Sequence, residues 1–313
     1  MPIVSPLTIL TTILGPVFLL IAIGALLQRN YKLDIKGLAI LQVRVLVPAF
    51  LLVRLAETPL SWYTLGKVAL CIALIKCTMS LILVLVGKRL GISRSTLLVV
   101  GITTSIFNAG NFGIPIAERT FGAAGTAVEA VVVVMSNISL WGVGYALTMD
   151  TNASSKQWIR DYFRLPMPYA LLIAVVIKSF HLTVPEPVWK PITWCADAVV
   201  PLALMTLGMQ LAQQARWPSL RFILPILFGK LILMPLVAVG LCCLLGYWPW
   251  PAAQIILASA SPSAVNAVLL SIDRNMDVER TTDAVFWTTI CSAITVPMVI
   301  YALLVFGNGH LPH

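Results

Sequence analysis

Pro16-Val17-Phe18-Leu19-Leu20-Ile21-Ala22 returns 152 residues later as Pro168-Tyr169-Ala170-Leu171-Leu172-Ile173-Ala174. The echo opens a colinear series. Val47-Pro48 answers Val200-Pro201 at an offset of 153, Lys76 answers Lys230 at 154, and Asn111 answers Asn266 at 155. Glu129-Ala130-Val131 answers Asp283-Ala284-Val285 at 154, and Tyr145-Ala146-Leu147 answers Tyr301-Ala302-Leu303 at 156. Apolar sequences share short strings by chance, but matches that keep one order and nearly one spacing read as a duplicated unit.

The unit belongs in a bilayer. Hydrophobic residues make up 59% of the chain and charged residues 11%, with a mean hydropathy of +0.94, which leaves too little polar surface for a soluble 34 kDa globule. A hydrocarbon core needs roughly 20 apolar residues per helix, so a chain of this length holds about ten spans. Candidates fall at 7–28, 37–56, 65–87, 95–116, 125–149, 166–182, 189–213, 220–245, 251–272 and 280–306. The unbroken apolar runs exclude a barrel, whose strands would alternate. The fold class expected is therefore an all-α membrane protein of ten transmembrane helices. A first repeat covers 1–149, a polar connection 150–165, and a second repeat 166–313. With five spans in each repeat, an odd number, the second must enter the membrane upside down, which is the inverted symmetry of secondary transporters.

Basic residues orient the molecule. Arg29, Lys32, Lys36, Lys88, Arg89, Arg94, Lys156, Arg160, Arg164, Arg216, Arg221, Arg274 and Arg280 fall in the odd-numbered connections, against Arg54, Lys67, Arg119, Lys178 and Lys190 on the opposite side. The positive-inside rule makes the odd connections cytoplasmic and puts both termini outside. This asymmetry accounts for most of the net charge of +9, so no nucleic-acid partner is indicated. No basic region precedes the first span, which is read as a mature helix rather than a signal peptide. The six cysteines lie in apolar segments as small hydrophobes, and the three histidines lack ligand spacing, so no metal site or cofactor is expected.

Two segments cannot remain regular helices. The fourth span carries Asn108-Ala109-Gly110-Asn111-Phe112-Gly113-Ile114-Pro115 and the ninth Ser261-Pro262-Ser263-Ala264-Val265-Asn266. Proline removes a backbone donor, and freed backbone groups in hydrocarbon need a partner. Either segment alone also fits a kinked, closely packed helix. The pair, at corresponding places of inverted halves, favours a transport site formed by Asn108, Gly110, Asn111, Pro115, Ser261, Pro262 and Asn266. Lys76 and Lys230 lie mid-span, where an ammonium lines a cavity or finds a partner, such as Glu129, Asp283 or backbone carbonyls. Together with half-helix amino termini, they suggest an anionic cargo. Glu129 and Asp283 near the starts of spans 5 and 10 suit either helix-dipole capping or proton or sodium coupling. Arg44 and Asp197, each four residues before a motif proline, are lesser candidates for coupling or for bracing the scaffold.

These motifs, with Pro201-Leu202-Ala203-Leu204, Leu207-Gly208 and Lys230-Leu231-Ile232-Leu233-Met234-Pro235-Leu236, resemble the auxin efflux carrier family, including its bacterial malonate and malate permease-like members. The resemblance covers nearly all ten spans. It implies a fold like that of sodium and bile acid symporters, with discontinuous helices 4 and 9 crossing at Pro115 and Pro262. Spans 1, 2, 6 and 7 would form a scaffold, often dimeric, and spans 3–5 and 8–10 a moving core. The long central loop of plant members is absent.

The function expected is secondary active transport of small organic anions, carboxylates, by alternating access, in the lipid of a bacterial plasma (inner) membrane. A channel-like uniporter or a transporter-like sensor is the alternative. An intramembrane enzyme fits least, since the chain has neither H-E-x-x-H nor a G-x-x-x-x-G-K-S/T signature.

Overall fold

Prolines open helices and polar caps anchor them across the computed structural model, which describes residues 10–139, 163–214, 219–273 and 276–307. Helix α1 (Gly15–Tyr31) has Pro16 in its first turn and ends where Lys32 turns left-handed at φ 49°. Asp34 caps α2 (Ile35–Leu41), which runs through a π-helical turn into α3 (Val47–Ala56). Ser61 caps α4 (Trp62–Arg89), whose last turn carries Lys88 and Arg89 against the helix dipole. Ser93 caps α5 (Arg94–Ser105), and a π-helical turn at Ala109–Gly113 leads into α6 (Ile114–Ser139). The second half holds α7 (Met167–Ser179), α8 (Glu186–Asp197), α9 (Val199–Gln214), α10 (Leu220–Phe228) and α11 (Met234–Leu244). It closes with α12 (Ala252–Ser259), α13 (Asn266–Asp273) and α14 (Val278–Phe306).

Among the described residues, seven stretches are long and apolar enough to cross a membrane. They coincide with most of the ten expected spans; two of the others are interrupted, one is short, and residues 140–149 of the fifth lie outside the described residues. The segment expected at 95–116 stops at Ser105 and resumes at Ala109; the one at 251–272 is two eight-residue helices. Met167–Ser179 is apolar but short. The stretch Ala109–Ser139 is not one straight rod, because Gly122, at φ 57° and ψ −143°, turns the chain inside it. That conformation is open to glycine and strained for other residues. Most of the polar connection at 150–165 lies outside the described residues.

The distribution of polarity is that of a lipid-facing bundle. Large apolar side chains such as Leu19, Leu26, Leu81, Leu172, Leu236 and Ile294 are exposed, while Lys76, Thr103, Asn108, Glu129, Lys230 and Gln254 are buried. Helix α1 packs along α9 at near-backbone contact, since a Cβ at Gly208 would fall on the Ile21 carbonyl and one at Gly24 on Met205. Small residues at such crossings let membrane helices approach closely. Helix α3 lies against α7 and α8, where Arg54 pairs with Asp197 at 3.1 Å and Trp189 donates to Glu57 at 2.7 Å. The remaining helices pack around the two breaks: α4 meets α6 and α11, α6 meets α12, and α10 meets α14. Free Cys71 and Cys242 stand 3.7 Å apart across α4 and α11, packed as small side chains.

Candidate functional site

Helix α5 ends because Ile106 leaves helical geometry at φ −100°, ψ 110°, and α12 ends just before Pro262. The two extended pieces then run antiparallel through each other. Asn108 N–H donates to Pro262 O at 2.9 Å, Ala264 N–H donates to Ile106 O at 3.1 Å, and Phe107 pairs with Ser263. Ser263 tightens the crossing: its hydroxyl donates to Thr103 O at 2.5 Å, and its N–H donates to Thr288 Oγ1 at 3.1 Å. Backbone groups freed by two broken helices are thus satisfied by each other.

Both lysines serve this crossing in the same way. Lys76 Nζ donates to Ser105 O at 3.0 Å and Lys230 Nζ donates to Ser259 O at 3.0 Å, so each ammonium sits on the last carbonyl of a half-helix. The carboxyl ends of helices carry negative partial charge, which a cation offsets. The ammoniums share one ring, standing 4.4 Å and 4.3 Å from the centroid of Phe107. Neither reaches Glu129, which makes carbonyl bonding, rather than an ion pair with that carboxylate, their observed role.

Glu129 is fully buried and links the two halves: Gln254 Nε2 donates to its Oε2 at 2.7 Å. Its Oε1 rests against Gly113, in the space a Cβ there would occupy, and has no hydrogen-bond partner. Asp283 is buried on α14. Of the two readings of these acids, capping does not fit, because α14 is capped by Asp277, which accepts from Arg280 N–H, and Glu129 lies seven residues beyond the break at Gly122.

A cavity of about 100 Å³ opens beside the crossing. Its lining includes Asn108, Gly110, Asn111 and Asn266 from the crossing, Ser136 and Asn137 from α6, Thr206 and Gln210 from α9, and an apolar wall of Ala39, Val43 and Val47. Its lining residues outside the crossing lie near the helix ends at residues 35, 139, 167 and 214. Phe121 packs edge-on against Trp250 at 5.5 Å. Two buried lining atoms, Asn108 Nδ2 and Ser136 Oγ, have no partner, and neither does Gln210 Oε1. Buried polar atoms are almost always satisfied, so each of these keeps hydrogen-bonding capacity for a partner.

Of the sequence-predicted residues, Asn108, Gly110, Asn111 and Asn266 meet at this cavity. Ser261 and Pro262 are buried in the crossing, where the Pro262 carbonyl serves the backbone. Pro115 is displaced from its expected role: the chain breaks at Ile106–Asn108, and Pro115 stands just behind the π-helical turn Ala109–Gly113, inside the helical stretch Ala109–Ser139. Lys76 and Lys230 are behind Phe107 and do not line the cavity. Arg44 and Asp197 are exposed and separate, Arg44 donating to Arg164 O at 2.9 Å and Asp197 pairing with Arg54. Sequence reasoning missed Gln42, whose Nε2 donates to Thr206 Oγ1 at 2.7 Å, and also Asn137, Gln210 and Gln254. An amide inside an apolar span was the available signal.

A model of the family described as membrane transport protein matches residues 8–300. The chain belongs to the membrane transport protein family. Similar proteins include an uncharacterized transporter of Methanothermobacter thermautotrophicus, 22% identical over 258 residues, covering 82% of this chain and 85% of that protein. Another is an uncharacterized transporter of Methanocaldococcus jannaschii, 23% identical over 208 residues, covering 63% of this chain and 65% of that one. This membrane transport protein is accordingly an integral membrane protein acting on a small-molecule substrate.

Proposed function

We propose that the protein is a secondary carrier of small organic carboxylates that works by alternating access at the crossing of its two broken helices. Support comes from the cavity: amides from both extended segments converge there, and a buried donor on Asn108 stands unpartnered in its wall. Neutral N–H groups bond strongly to a carboxylate, which is an ionised acceptor.

Alternating access follows from two inverted five-helix repeats. The matched geometry of the lysines favours that symmetry: each ammonium holds the carbonyl 29 residues further along the chain, at equal distance. In this scheme α1–α3 and α7–α9 form a scaffold, suited to pairing as a homodimer, and the other helices form a core that moves against it. The cavity lies between the two, bordered by Gln42 and Gln210 on one side and Asn108 and Ser136 on the other. With both termini outside a bacterial inner membrane, the open end is cytoplasmic and the structure is the inward-facing state. Glu129 is the candidate coupling group for a proton or sodium ion, since it joins the halves and keeps one oxygen unpartnered. Malonate- and malate-type acids define the size class of the cargo.

The test is counterflow in proteoliposomes loaded with unlabelled acid. Saturable uptake of labelled malonate, succinate or a monocarboxylate is expected. Flux that fails to saturate, or none with any organic acid, overturns the proposal.

A further inference from the structure

We infer that the groove between the start of α4 and the end of α11 is a site for an anionic phospholipid, with the headgroup phosphate on Lys67 and an acyl chain laid over Leu70 and Leu245. The groove holds about 470 Å³ and is lined by Tyr63, Gly66, Lys67 and Leu70 from α4 and by Leu245 and Tyr247 where the chain leaves α11. It shares no lining residue with the cavity at the crossing, so the inference stands apart from the carrier reading. The surface around it faces lipid: Tyr63, Leu70 and the neighbouring Leu244 are exposed. Trp62 and Trp248, also exposed, flank the groove and mark the headgroup level, where indole rings collect. Lys67 stands five residues beyond Trp62, about 7.5 Å further along the helix axis. Its side chain leans back towards the helix start, as its contact with Tyr63 four residues earlier shows, which lifts the ammonium to the inner edge of the headgroup layer. Leu70 lies deeper, among acyl chains. Cationic and apolar surface thus follow each other in the order of a phospholipid's own parts.

Charge decides which headgroup fits. Lys67 Nζ stands 4.4 Å from the ring centroid of Tyr63 and 5.0 Å from that of Tyr247, and among the described residues these rings are its only partners. An ammonium has three donors, and two ring faces leave them without an acceptor oxygen. No aspartate or glutamate lines the groove, so an anion from outside the chain completes it. A phosphate oxygen meets that need through a charge-assisted hydrogen bond. The same rings would otherwise make a cage for a choline or ethanolamine ammonium. Lys67 already fills that cage, and a second cation beside it is repelled. The groove therefore selects an anionic headgroup over a zwitterionic one.

Thermal unfolding of the full chain in detergent, titrated with short-chain phosphatidylglycerol, phosphatidylethanolamine of the same chain length or inorganic phosphate, tests the site. Phosphatidylglycerol should raise the melting midpoint at about tenfold lower concentration than phosphatidylethanolamine, and phosphate alone should not raise it. Lys67→Gln should need about tenfold more phosphatidylglycerol for the same shift, while Lys67→Arg keeps the parental dependence. Gly66→Leu retains the lysine but fills the groove. A Cβ at Gly66 meets no atom within 4 Å, so this variant folds and should lose lipid affinity as Lys67→Gln does. Equal shifts with the two lipids, or an equal shift with inorganic phosphate, would overturn the inference. Parental dependence on phosphatidylglycerol in folded Lys67→Gln or Gly66→Leu protein would do the same. None of these results bears on exchange of organic acids, whose failure would remove the carrier proposal and leave the lipid site standing.

Discussion

Replacing Asn108 with alanine should lower affinity without lowering stability. Its Nδ2 is buried and unpartnered, while its backbone N–H, untouched by the substitution, holds Pro262 O at 2.9 Å. Leaving a buried donor unsatisfied costs about 1–3 kcal/mol, so removing the carboxamide relieves part of that cost and offsets the small loss of packing. The bound acid, in contrast, loses a hydrogen bond to a charged acceptor, worth about 1.5–3 kcal/mol. At 1.4 kcal/mol per decade this weakens binding by about 10- to 150-fold. Thermal unfolding of purified parent and variant, without ligand and across a titration of malonate, separates the two effects. The variant's apo midpoint should match or exceed the parent's, and its ligand-induced shift should need the higher concentration. A variant that melts earlier but keeps the parental affinity would show that Asn108 is a structural residue of the crossing and not a contact for cargo.

Four further substitutions probe the frame around the site. Gly208→Val puts a methyl group into the Ile21 carbonyl and should cost about 1–3 kcal/mol by forcing α1 from α9, seen as a lower melting midpoint; an unchanged midpoint would refute the close approach. Lys230→Met loses a bond of about 1.5–3 kcal/mol to Ser259 but recovers several kcal/mol of ammonium desolvation, so it should fold with near-parental stability and impaired exchange. Lys230→Glu, setting a carboxylate on that carbonyl, should lose about 3–5 kcal/mol or fail to fold, and equal stability of the two variants would contradict the role assigned to the ammonium. Glu129→Gln keeps an amide partner for Gln254 while removing the ionisable group, so exchange should persist and ion-driven accumulation should vanish in the same vesicles. Parental accumulation would clear Glu129 of any part in coupling.

Most of the spans and the interrupted segments beside the candidate site were legible because they depend on local chemistry. Long apolar runs give α4 and α14, and the amide- and glycine-rich stretch around Asn108–Asn111 marks a helix that cannot continue. The exact break was not legible from proline alone. Pro115 is carried inside a helical stretch, just behind the π-helical turn Ala109–Gly113, and the chain leaves helical geometry at Ile106, where long-range pairing with Pro262 and Ala264 compensates it. The lysines show a similar limit. Their matched positions were visible as a 154-residue spacing, but whether an ammonium meets cargo, acid or carbonyl depends on which groups the tertiary fold brings within 3 Å. Gln42 and Gln210 went unnoticed because single amides in apolar helices stand out only once α2 and α9 are known to border the same cavity.

The most direct measurement is a cryo-electron microscopy map of the full chain in lipid nanodiscs with saturating malonate, compared with a map recorded without it. Ligand density within hydrogen-bonding distance of Asn108 Nδ2, between the two extended segments, is the expected result. Density confined to another part of the molecule, such as the outer groove between Lys67 and Tyr247, with the crossing unchanged, would contradict transport at the crossing.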